Sequence, residues 1–310
     1  MEKKSYYSNG KLLITGEYLV LKGALALAVP TIPGQELTID EGSRTAVLNW
    51  ESFFEDTCWF NASFSLPNFD ILETSDLENA GYMSRILQEA HKIKGRLPFN
   101  CESCHIRTRL DFHPEWGLGS SSSLINNIAS LFGISAYELF FNTQKGSAYD
   151  IACASARQSL IYSLEESIPH ATKVLFNPSF KDKLAFVYSG QKQDSNRSLS
   201  RFFDLGGFHE FEKGCISKIT SEIVNTTNIK DFNELLDEHE EIMAKVLKLQ
   251  KIKDSQFSDF PGSVKSLGAW GGDFILASSE TGFKNIQEYF KNKGLKVVFP
   301  WEDLVLSEAL

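Results

Sequence analysis

A run of glycines and serines in the middle of the chain has the composition of an anion-binding loop. It reads Gly117-Leu-Gly-Ser-Ser-Ser-Ser123 and stands between residues 104–110, which alternate as a half-buried strand, and an apolar-periodic segment that begins at Leu124. Glycines let the backbone approach a ligand, and N–H groups at a helix start point at an anion. Serine hydroxyls can also reach Mg²⁺ beside phosphate oxygens. The run predicts either a phosphate-binding loop or a plain turn that caps a helix.

This loop matches neither of the two common nucleotide-binding patterns. It lacks the lysine of G-x-x-x-x-G-K-[ST] and the glycine spacing of G-x-G-x-x-G. Its function therefore depends on what accompanies it, and three other segments carry residues of catalytic type. They are Gly10-Lys-Leu-Leu-Ile-Thr-Gly-Glu-Tyr18, Lys145-Gly-Ser-Ala-Tyr-Asp-Ile-Ala152 and Lys265-Ser-Leu-Gly-Ala-Trp-Gly-Gly-Asp273.

Along the chain, these three segments and the glycine and serine loop follow one another in the same order as the motifs of the GHMP kinase superfamily, and they resemble those motifs. The superfamily includes galactokinase and the homoserine, mevalonate and phosphomevalonate kinases. The segment that ends at Tyr18 is similar to the opening PGK-x₄-GEH or GEY motif, and the central loop is similar to P-x₃-GLGSS. The segment around Asp150 resembles GSG-x-D-x-A, and the segment that ends at Asp273 resembles GAGGGG or GAGGGD. The resemblance extends over most of the chain.

The resemblance implies an α+β fold with two domains. Residues 1–180 would form an ATP-binding domain like ribosomal protein S5 domain 2, and residues 181–310 a ferredoxin-like C-terminal domain. The length of 310 residues independently favours two domains, since one hydrophobic core seldom serves so long a chain.

The resemblance also implies roles for individual residues. Lys11 would lie near the transferred phosphoryl group, and Asp150 would be the catalytic carboxylate that orients or deprotonates the acceptor. Ser121 and Glu17 would hold Mg²⁺. The residues that would bind ATP are Gly117, Leu118, Gly119, Ser120, Ser121, Ser122 and Ser123. The residues that would contact the acceptor are Glu17, Tyr18, Lys192, Ser195, Arg197, Gly268, Gly271 and Gly272.

Each of these roles has a structural alternative. Lys11 could be a surface lysine at a strand start, and Glu17 a charge on a hairpin. Asp150 could cap a helix, because aspartate is a favoured N-cap residue. Residues 189–197, which loosely resemble a substrate loop of phosphomevalonate kinases, could equally form a polar surface loop.

Three residues distinguish this chain within the resemblance. Tyr18 stands where mevalonate kinases and galactokinases usually have histidine, and Asp273 follows the last glycine pair. Both features favour the phosphomevalonate kinases. Trp270 replaces a glycine, and an indole cannot enter glycine-only backbone geometry without strain. We expect the third motif to differ in shape from the family pattern.

The expected reaction is transfer of the γ-phosphoryl group of ATP, with Mg²⁺, to phosphomevalonate or mevalonate in isoprenoid precursor synthesis. Two alternatives stay open: a lyase that decarboxylates diphosphomevalonate while consuming ATP, and a catalytically silent sensor of a small molecule. Trp270 is the feature that keeps the sensor alternative under consideration. Besides ATP, the expected partner is the acceptor, and the chain would be a monomer or a homodimer.

Charge and composition exclude other classes. Lysine and arginine total 31 against 40 acidic residues, and the net charge of −9 disfavours general nucleic-acid binding. Neither a signal peptide nor a membrane-spanning segment is visible in the sequence. An odd number of cysteines, five, argues against an extracellular disulfide framework. We expect a cytoplasmic protein without membrane contact.

The segment Cys101-Glu-Ser-Cys-His105 matches the C-x-x-C-H pattern of c-type haem attachment. Without an export signal we do not expect haem there. A zinc half-site lacks a second ligand pair at suitable spacing, although Cys153 and His113 stay open as distant ligands.

Capping patterns and periodicity predict several elements. Ser75 with Glu78 predicts a helix that ends at Gly95, and Ser135 with Glu138 predicts a short one. Other predicted helices cover residues 150–158, 208–224, 230–250 and 281–293. Predicted strands cover residues 35–40, 45–50, 57–65, 104–110, 159–165, 172–177, 184–189, 265–269, 273–278 and 296–299, and residues 11–29 predict a hairpin or strand pair. The acidic run 231–241 predicts a solvated helix.

Overall fold

A computed structural model of the protein describes residues 4–41, 46–99, 103–190, 195–206, 210–268, 270 and 273–307. Helices and strands are mixed along the chain. The strands are β1 Lys4–Leu13, β2 Ala26–Glu41, β3 Val47–Phe54, β4 Thr57–Ser65, β5 Ile71–Thr74, β6 Ser103–Leu110, β7 Leu160–Glu165, β8 Ile168–Lys173, β9 Leu184–Tyr188, β10 Ser263–Ser266, β11 Phe274–Ser278 and β12 Val298–Pro300. The α-helices are α1 Leu77–Lys94, α2 Ser120–Phe132, α3 Ala136–Thr143, α4 Tyr149–Ser155, α5 Ser195–Leu205, α6 Glu210–Asn225, α7 Ile229–Leu247, α8 Ile252–Gln256, α9 Phe283–Asn292 and α10 Trp301–Leu304.

The chain forms two compact units whose segments alternate along the sequence. The first unit comprises Met1–Gly10, Pro33–Pro114 and Leu118–Ser155. The second unit comprises Lys11–Ile32, Glu115–Gly117 and Ala156–Leu310. The domain boundary between residues 180 and 181 stays a prediction.

In the first unit, a sheet with the strand order β5-β4-β3-β6-β2 carries helices α1 to α4. Strands β3 and β6 run parallel, and their neighbours pair antiparallel. The buried core includes Trp50 and Phe64 of the sheet and Ile86, Ile128 and Phe132 of the helices. Since the apolar positions of α1 and α2 recur at helical spacing, each helix presents one continuous face to this core.

Helix α1 is capped by a residue other than the predicted one. The Asp76 carboxylate accepts hydrogen bonds from the backbone N–H groups of Glu78 and Asn79, at 2.9 and 3.0 Å. Ser75 instead accepts a hydrogen bond from the N–H of Asn61. A carboxylate also suits the positive end of the helix better than a hydroxyl. The predicted end at Gly95 and the predicted cap of α3 at Ser135 are both confirmed.

In the second unit, residues Ala26–Ala28 of β2 pair with β7, and β7 pairs with β8. A separate antiparallel sheet has the order β10-β11-β9-β12. Its core contains Val187, Phe260, Ile275 and Phe290. Helices α5 to α10 also belong to this unit.

Several observed elements differ from the predicted ones. In residues 11–29 the strand-pair alternative is confirmed, since β1 pairs with β2, and a short 3₁₀ helix, Leu19–Lys22, replaces the tight turn of a hairpin. The strand predicted at 172–177 ends at Lys173. Helix α5 was not predicted, because the polar residues at its start favoured a loop; its Phe202 is buried.

None of the helices in the described ranges combines the length and the apolar composition that crossing a bilayer requires.

Candidate active site

The lysine of the first motif contacts the start of the glycine and serine loop. Lys11, on β1, donates a hydrogen bond from Nζ to the carbonyl oxygen of Gly117 at 2.7 Å. Gly117 has φ +68°, and a Cβ at this position would collide with the carboxylate of Asp273. Only glycine adopts this positive φ without strain and leaves room for that carboxylate. Within the second unit, the structure therefore brings together one residue from each of three motifs.

Beyond Gly117 the loop continues into the first unit, where it starts helix α2. The N-cap residue Gly119 is left-handed, with φ 90° and ψ 39°, and no side chain caps the helix. The Ser122 hydroxyl donates to the Gly119 carbonyl at 2.9 Å, and the Ser123 hydroxyl donates to the Gln35 side chain at 2.9 Å. The two hydroxyls thus have structural partners, and the backbone N–H groups of the first turn are the groups suited to an anion.

Ser121 belongs to a cluster of polar side chains in the first unit. Its hydroxyl forms a short hydrogen bond with the phenol of Tyr82, on α1. Burial raises the pKa of Tyr82 to about 12; the bond to Ser121 opposes this shift, and the negative charge of Asp150 adds to it. Asp150 lies in the first turn of α4, where Oδ1 accepts a hydrogen bond from the Ile151 N–H at 3.0 Å. Of two predicted site residues, Ser121 thus bonds to this phenol, and the charge of Asp150 acts on it.

Sequence reasoning missed Tyr82. It occupies one of the regularly spaced positions of α1, next to apolar neighbours, so its spacing predicts packing rather than a role at a site. No pattern in the sequence relates it to Ser121.

Glu17 is buried, with 1% of its surface exposed. Its carboxylate accepts a short hydrogen bond from Lys265, which is fully buried. Burial alone would raise the pKa of this carboxyl, but Lys265 and His239 together outweigh it and the pKa is lowered. Mg²⁺ usually keeps several of its waters, and a carboxylate enclosed in this way leaves no room for them. The geometry thus gives no support to Glu17 as a metal ligand or as an acceptor contact.

Two residues of α7 complete the surroundings of this ion pair. His239 Nε2 accepts a hydrogen bond from the Gly16 N–H at 3.1 Å and lies 3.2 Å from Glu17 Oε2. Burial and the charge of Lys265 lower the pKa of His239 to about 4, so its ring is neutral at pH 7. Burial raises the pKa of Glu240 to about 8, although Lys265 lies 3.9 Å away. At neutral pH, the charges of Glu17 and Lys265 therefore balance.

The prediction of a solvated helix at 231–241 was wrong for one face of α7. His239 and Glu240 are 0% and 2% exposed. The run places His239 on one helical face with Phe232 and Leu236, but it does not reveal which of its carboxyls faces a buried lysine, so Glu240 was not expected here.

Tyr18 has a strained backbone and is held by its side chain. Its φ of 59° and ψ of −44° lie in a region that residues other than glycine rarely adopt. The phenol oxygen accepts a hydrogen bond from the Trp270 N–H at 3.2 Å, and the ring packs against Phe202 at a centroid distance of 5.3 Å. Strain of this kind persists only where surrounding contacts enforce it, and it is common at functional sites.

The remaining predicted residues are placed only in part. Gly268 has φ +69° and follows β10. Ser195 and Arg197 lie in α5, but their side chains are outside what the structure describes. Lys192, Gly271 and Gly272 lie outside the described residues.

In the C-x-x-C-H segment, Cys104 and His105 have contacts of a structural kind. Cys101 lies outside the described residues, Cys104 is buried, and His105 Nε2 lies 2.8 Å from Glu51 Oε2. The ring of His113 packs against Phe54. Among the described residues, no group of three or more histidine, cysteine, aspartate or glutamate side chains is arranged around a common metal position.

No protein-family model matches the sequence, and neither does any protein of curated function. Solved structures do match along nearly the whole chain. Mevalonate kinase of Methanococcus jannaschii is 16% identical and superposes with a TM-score of 0.73 over 99% of both chains. Phosphomevalonate kinase of Streptococcus pneumoniae, in complex with phosphomevalonate and AMPPNP, is 15% identical, with a TM-score of 0.71 over 96% of this chain and 99% of that chain.

A third structural match is galactokinase of Lactococcus lactis complexed with galactose. It is 11% identical and has a TM-score of 0.69 over 96% of this chain and 92% of that chain. The protein therefore has the two-domain α+β fold of the GHMP kinases, which confirms the predicted fold. Likeness at such low identity establishes the fold alone, because one fold hosts many functions.

Proposed function

We propose that this protein is an ATP-dependent small-molecule kinase of the GHMP type. The observation that carries the proposal is the hydrogen bond from Lys11 to Gly117, which puts an ammonium group at the first residue of the glycine and serine loop. The match to kinases of known structure, one of them in complex with AMPPNP, supports it. A phosphoryl group transferred beside this loop would have its charge partly neutralised by Lys11.

ATP is the proposed phosphoryl donor. Its phosphates would lie against the backbone of residues 117–123, where α2 begins without a side-chain cap. Both the partial positive charge of a helix start and its unpaired N–H groups favour a polyanion.

Mg²⁺ suits the oxygen donors of the first unit. The hydroxyl of Ser121 and the carboxylate of Asp150, both near the Tyr82 phenol, are of the hard type that this ion prefers. When bound, Mg²⁺ would supply charge neutralisation to the phosphates. Tyr82 would keep the Ser121 hydroxyl in a fixed place through their shared hydrogen bond.

The acceptor that we propose is phosphomevalonate, with mevalonate as the second choice, in isoprenoid precursor synthesis. Tyr18 and Asp273 in the first and third motifs support the first of these. A phosphate oxygen of phosphomevalonate is already anionic at neutral pH, so this acceptor would need no base, and the role left to Asp150 would be to help hold Mg²⁺. The hydroxyl of mevalonate would instead lose its proton to Asp150 as transfer proceeds.

The test is release of ADP from ATP, with and without Mg²⁺, in the presence of mevalonate, phosphomevalonate, diphosphomevalonate, homoserine or galactose in turn. Mg²⁺-dependent turnover with phosphomevalonate or mevalonate supports the proposal. Release of carbon dioxide together with ADP from diphosphomevalonate would support the lyase instead of the kinase. ATP binding without turnover on every acceptor would count against the kinase and favour the sensor.

A further inference from the structure

The residue directly before the glycine and serine loop is a tryptophan. Trp116 belongs to a short segment of the second unit that ends at Gly117, and its indole is half-buried. Three aromatic rings contact the indole: Phe299 at a centroid distance of 5.2 Å, Phe274 at 6.2 Å and Tyr188 at 6.4 Å. The first two contacts are edge-to-face, an arrangement that aromatic pairs favour.

The three rings lie on the face of the second unit's sheet that is turned away from its core. Tyr188 ends β9 and Phe274 begins β11, and the two residues are paired across these strands. Their neighbours along the strands, Val187 and Ile275, belong to the core. Successive side chains of a strand point to opposite faces, so these rings, and by the same alternation Phe299, lie opposite the core. The indole therefore packs on a surface whose position is fixed by strand pairing.

The backbone before the tryptophan is held on the same sheet. The Tyr188 phenol donates a hydrogen bond to the carbonyl oxygen of Glu115 at 3.3 Å. Burial and the negative charges of Glu115 and Asp273 raise the pKa of Tyr188, so the phenol keeps its proton well above neutral pH and remains a donor. A hydrogen bond to the backbone and ring contacts to the side chain thus hold two consecutive residues.

The residue after the tryptophan, Gly117, lies against Asp273. The carboxylate of Asp273 fills the space where a side chain on Gly117 would stand, and Asp273 is 8% exposed. The Asp273 carbonyl accepts a hydrogen bond from the Ser189 N–H at 2.7 Å, which ties this residue to the end of β9. Lys11 Nζ donates to the carbonyl oxygen of Gly117. A displacement of Gly117 would therefore move the group that holds the Lys11 ammonium.

We propose that Trp116 is a positioning residue for the transfer step. Its indole, packed on the three rings, fixes Gly117 and through Gly117 the place of the Lys11 ammonium. The inference rests on the proposed kinase function and adds to it a residue that acts through another residue. Charge neutralisation in phosphoryl transfer depends on groups that are already in place, so loss of the indole acts on turnover.

The first test compares wild type with Trp116→Leu and Trp116→Phe. Leucine removes the aromatic ring, and we expect kcat to fall by roughly tenfold or more, because small misplacements of reacting groups are costly. Phenylalanine keeps an edge-to-face contact and should retain most of the wild-type kcat. Trp59→Leu, at an exposed position of β4 beside the ring of Phe60, is the matched control and should keep kcat.

A purely structural role of the indole would give a different result. It would lower the Tm of Trp116→Leu and leave the kcat of the folded protein unchanged. Rates are therefore measured well below the Tm of each variant, with circular dichroism to verify the fold. We expect the KM for ATP to change less than kcat, since the first turn of α2, which would bind the phosphates, belongs to the first unit.

A double-variant cycle tests whether Trp116 acts through Lys11. If it does, Trp116→Leu should lower kcat much less in a Lys11→Ala background than in wild type, because the ammonium that it positions is already gone. Equal fold-changes in the two backgrounds would show that the indole acts elsewhere, and they would overturn the proposal.

Failure of this inference and failure of the kinase proposal look different. If wild type turns over an acceptor while Trp116→Leu keeps kcat, the positioning role is wrong and the kinase proposal stands. If wild type turns over no acceptor, the kinase proposal fails, and calorimetry of ATP binding with Mg²⁺ decides on Trp116. Weaker binding by Trp116→Leu than by Trp59→Leu would support the positioning of Lys11 beside the phosphates, and equal or absent binding would overturn it.

Discussion

Lys265 donates a hydrogen bond to the carboxylate of Glu17 at a place where neither side chain is more than 1% exposed. Glu17 belongs to the first motif and Lys265 to the third, so a buried ion pair joins these two motifs within the second unit. The N–H of Gly16 donates a hydrogen bond to His239. Tyr18, two residues later, adopts its strained backbone conformation. The ion pair and His239 thus anchor the segment from which Tyr18 extends.

Removal of one partner of this pair should destabilise the protein strongly. We expect Lys265→Met to lower the free energy of unfolding by about 3 to 5 kcal/mol, because it leaves the charge of Glu17 buried without compensation. Urea denaturation followed by circular dichroism measures the change. Lys230→Met, at an exposed position of α7, should have little effect.

The double variant Glu17→Gln with Lys265→Met distinguishes the ion pair from simple packing. Because neither charge remains, it should be more stable than Lys265→Met alone. A double variant that is as unstable as the sum of both single variants would show that the two side chains act independently.

Glu240 should make stability depend on pH. Burial is the chief reason that its pKa is raised from 4.5 to about 8. The charge of Lys265 opposes this shift, and the charges of Glu17 and Asp237 add to it. The unfolded chain loses this proton near pH 4.5 and the folded chain only near pH 8. The stabilising contribution is therefore complete below pH 4.5 and is lost as pH rises through about 8.

His239 acts in a different pH range. Its pKa is lowered from 6.5 to about 4, so its contribution is complete above pH 6.5 and is lost as pH falls through 4. Between pH 6.5 and 8.5 the ionisation of Glu240 should therefore govern how stability changes with pH. Over this range the Tm of Glu240→Gln should fall less than the Tm of wild type. Glu238→Gln, an exposed neighbour, should follow wild type. Parallel Tm curves for wild type and Glu240→Gln would contradict the buried protonated carboxyl.

The proposed catalytic carboxylate should be separable from a helix cap. Asp150→Asn should lower kcat by roughly 10²-fold or more and leave the far-ultraviolet circular dichroism spectrum unchanged. Lys11→Ala should likewise lose most turnover with the fold retained. Glu138→Gln, which neutralises an exposed carboxylate in the first turn of α3, should keep wild-type kcat. Wild-type rates in both Asp150→Asn and Lys11→Ala would refute these assignments.

A side chain at Gly117 should disturb the loop through its contact with Asp273. In Gly117→Ala the new Cβ meets the Asp273 carboxylate, and the left-handed backbone adds strain. We expect the KM for ATP to rise and kcat to fall. Adding Asp273→Ala should relieve the collision and recover part of the ATP affinity, whereas no recovery would indicate that backbone strain alone accounts for the loss.

The sequence predicted those elements around the proposed site that depend on contiguous motifs. The start of α2 at the glycine and serine loop and the end of α1 at Gly95 follow from local backbone chemistry, which a short segment contains. Tyr82 and Glu240 could not be predicted, because each depends on which helix face packs against a distant strand or loop. Helix α5 escaped prediction for a further reason: the polar residues 189–197 favoured a loop.

The alternation of the two units along the chain has a consequence for synthesis on the ribosome. Lys11–Ile32 comes before most of the first unit along the chain, yet it belongs to the unit that is completed by Ala156–Leu310. Residues Ala26–Ala28 of β2 have their ladder partners at Leu160–Tyr162, more than 130 positions later. A nascent chain that has emerged only as far as Ser155 therefore lacks one ladder partner of this strand end, and that edge stays exposed until the rest of the protein is translated.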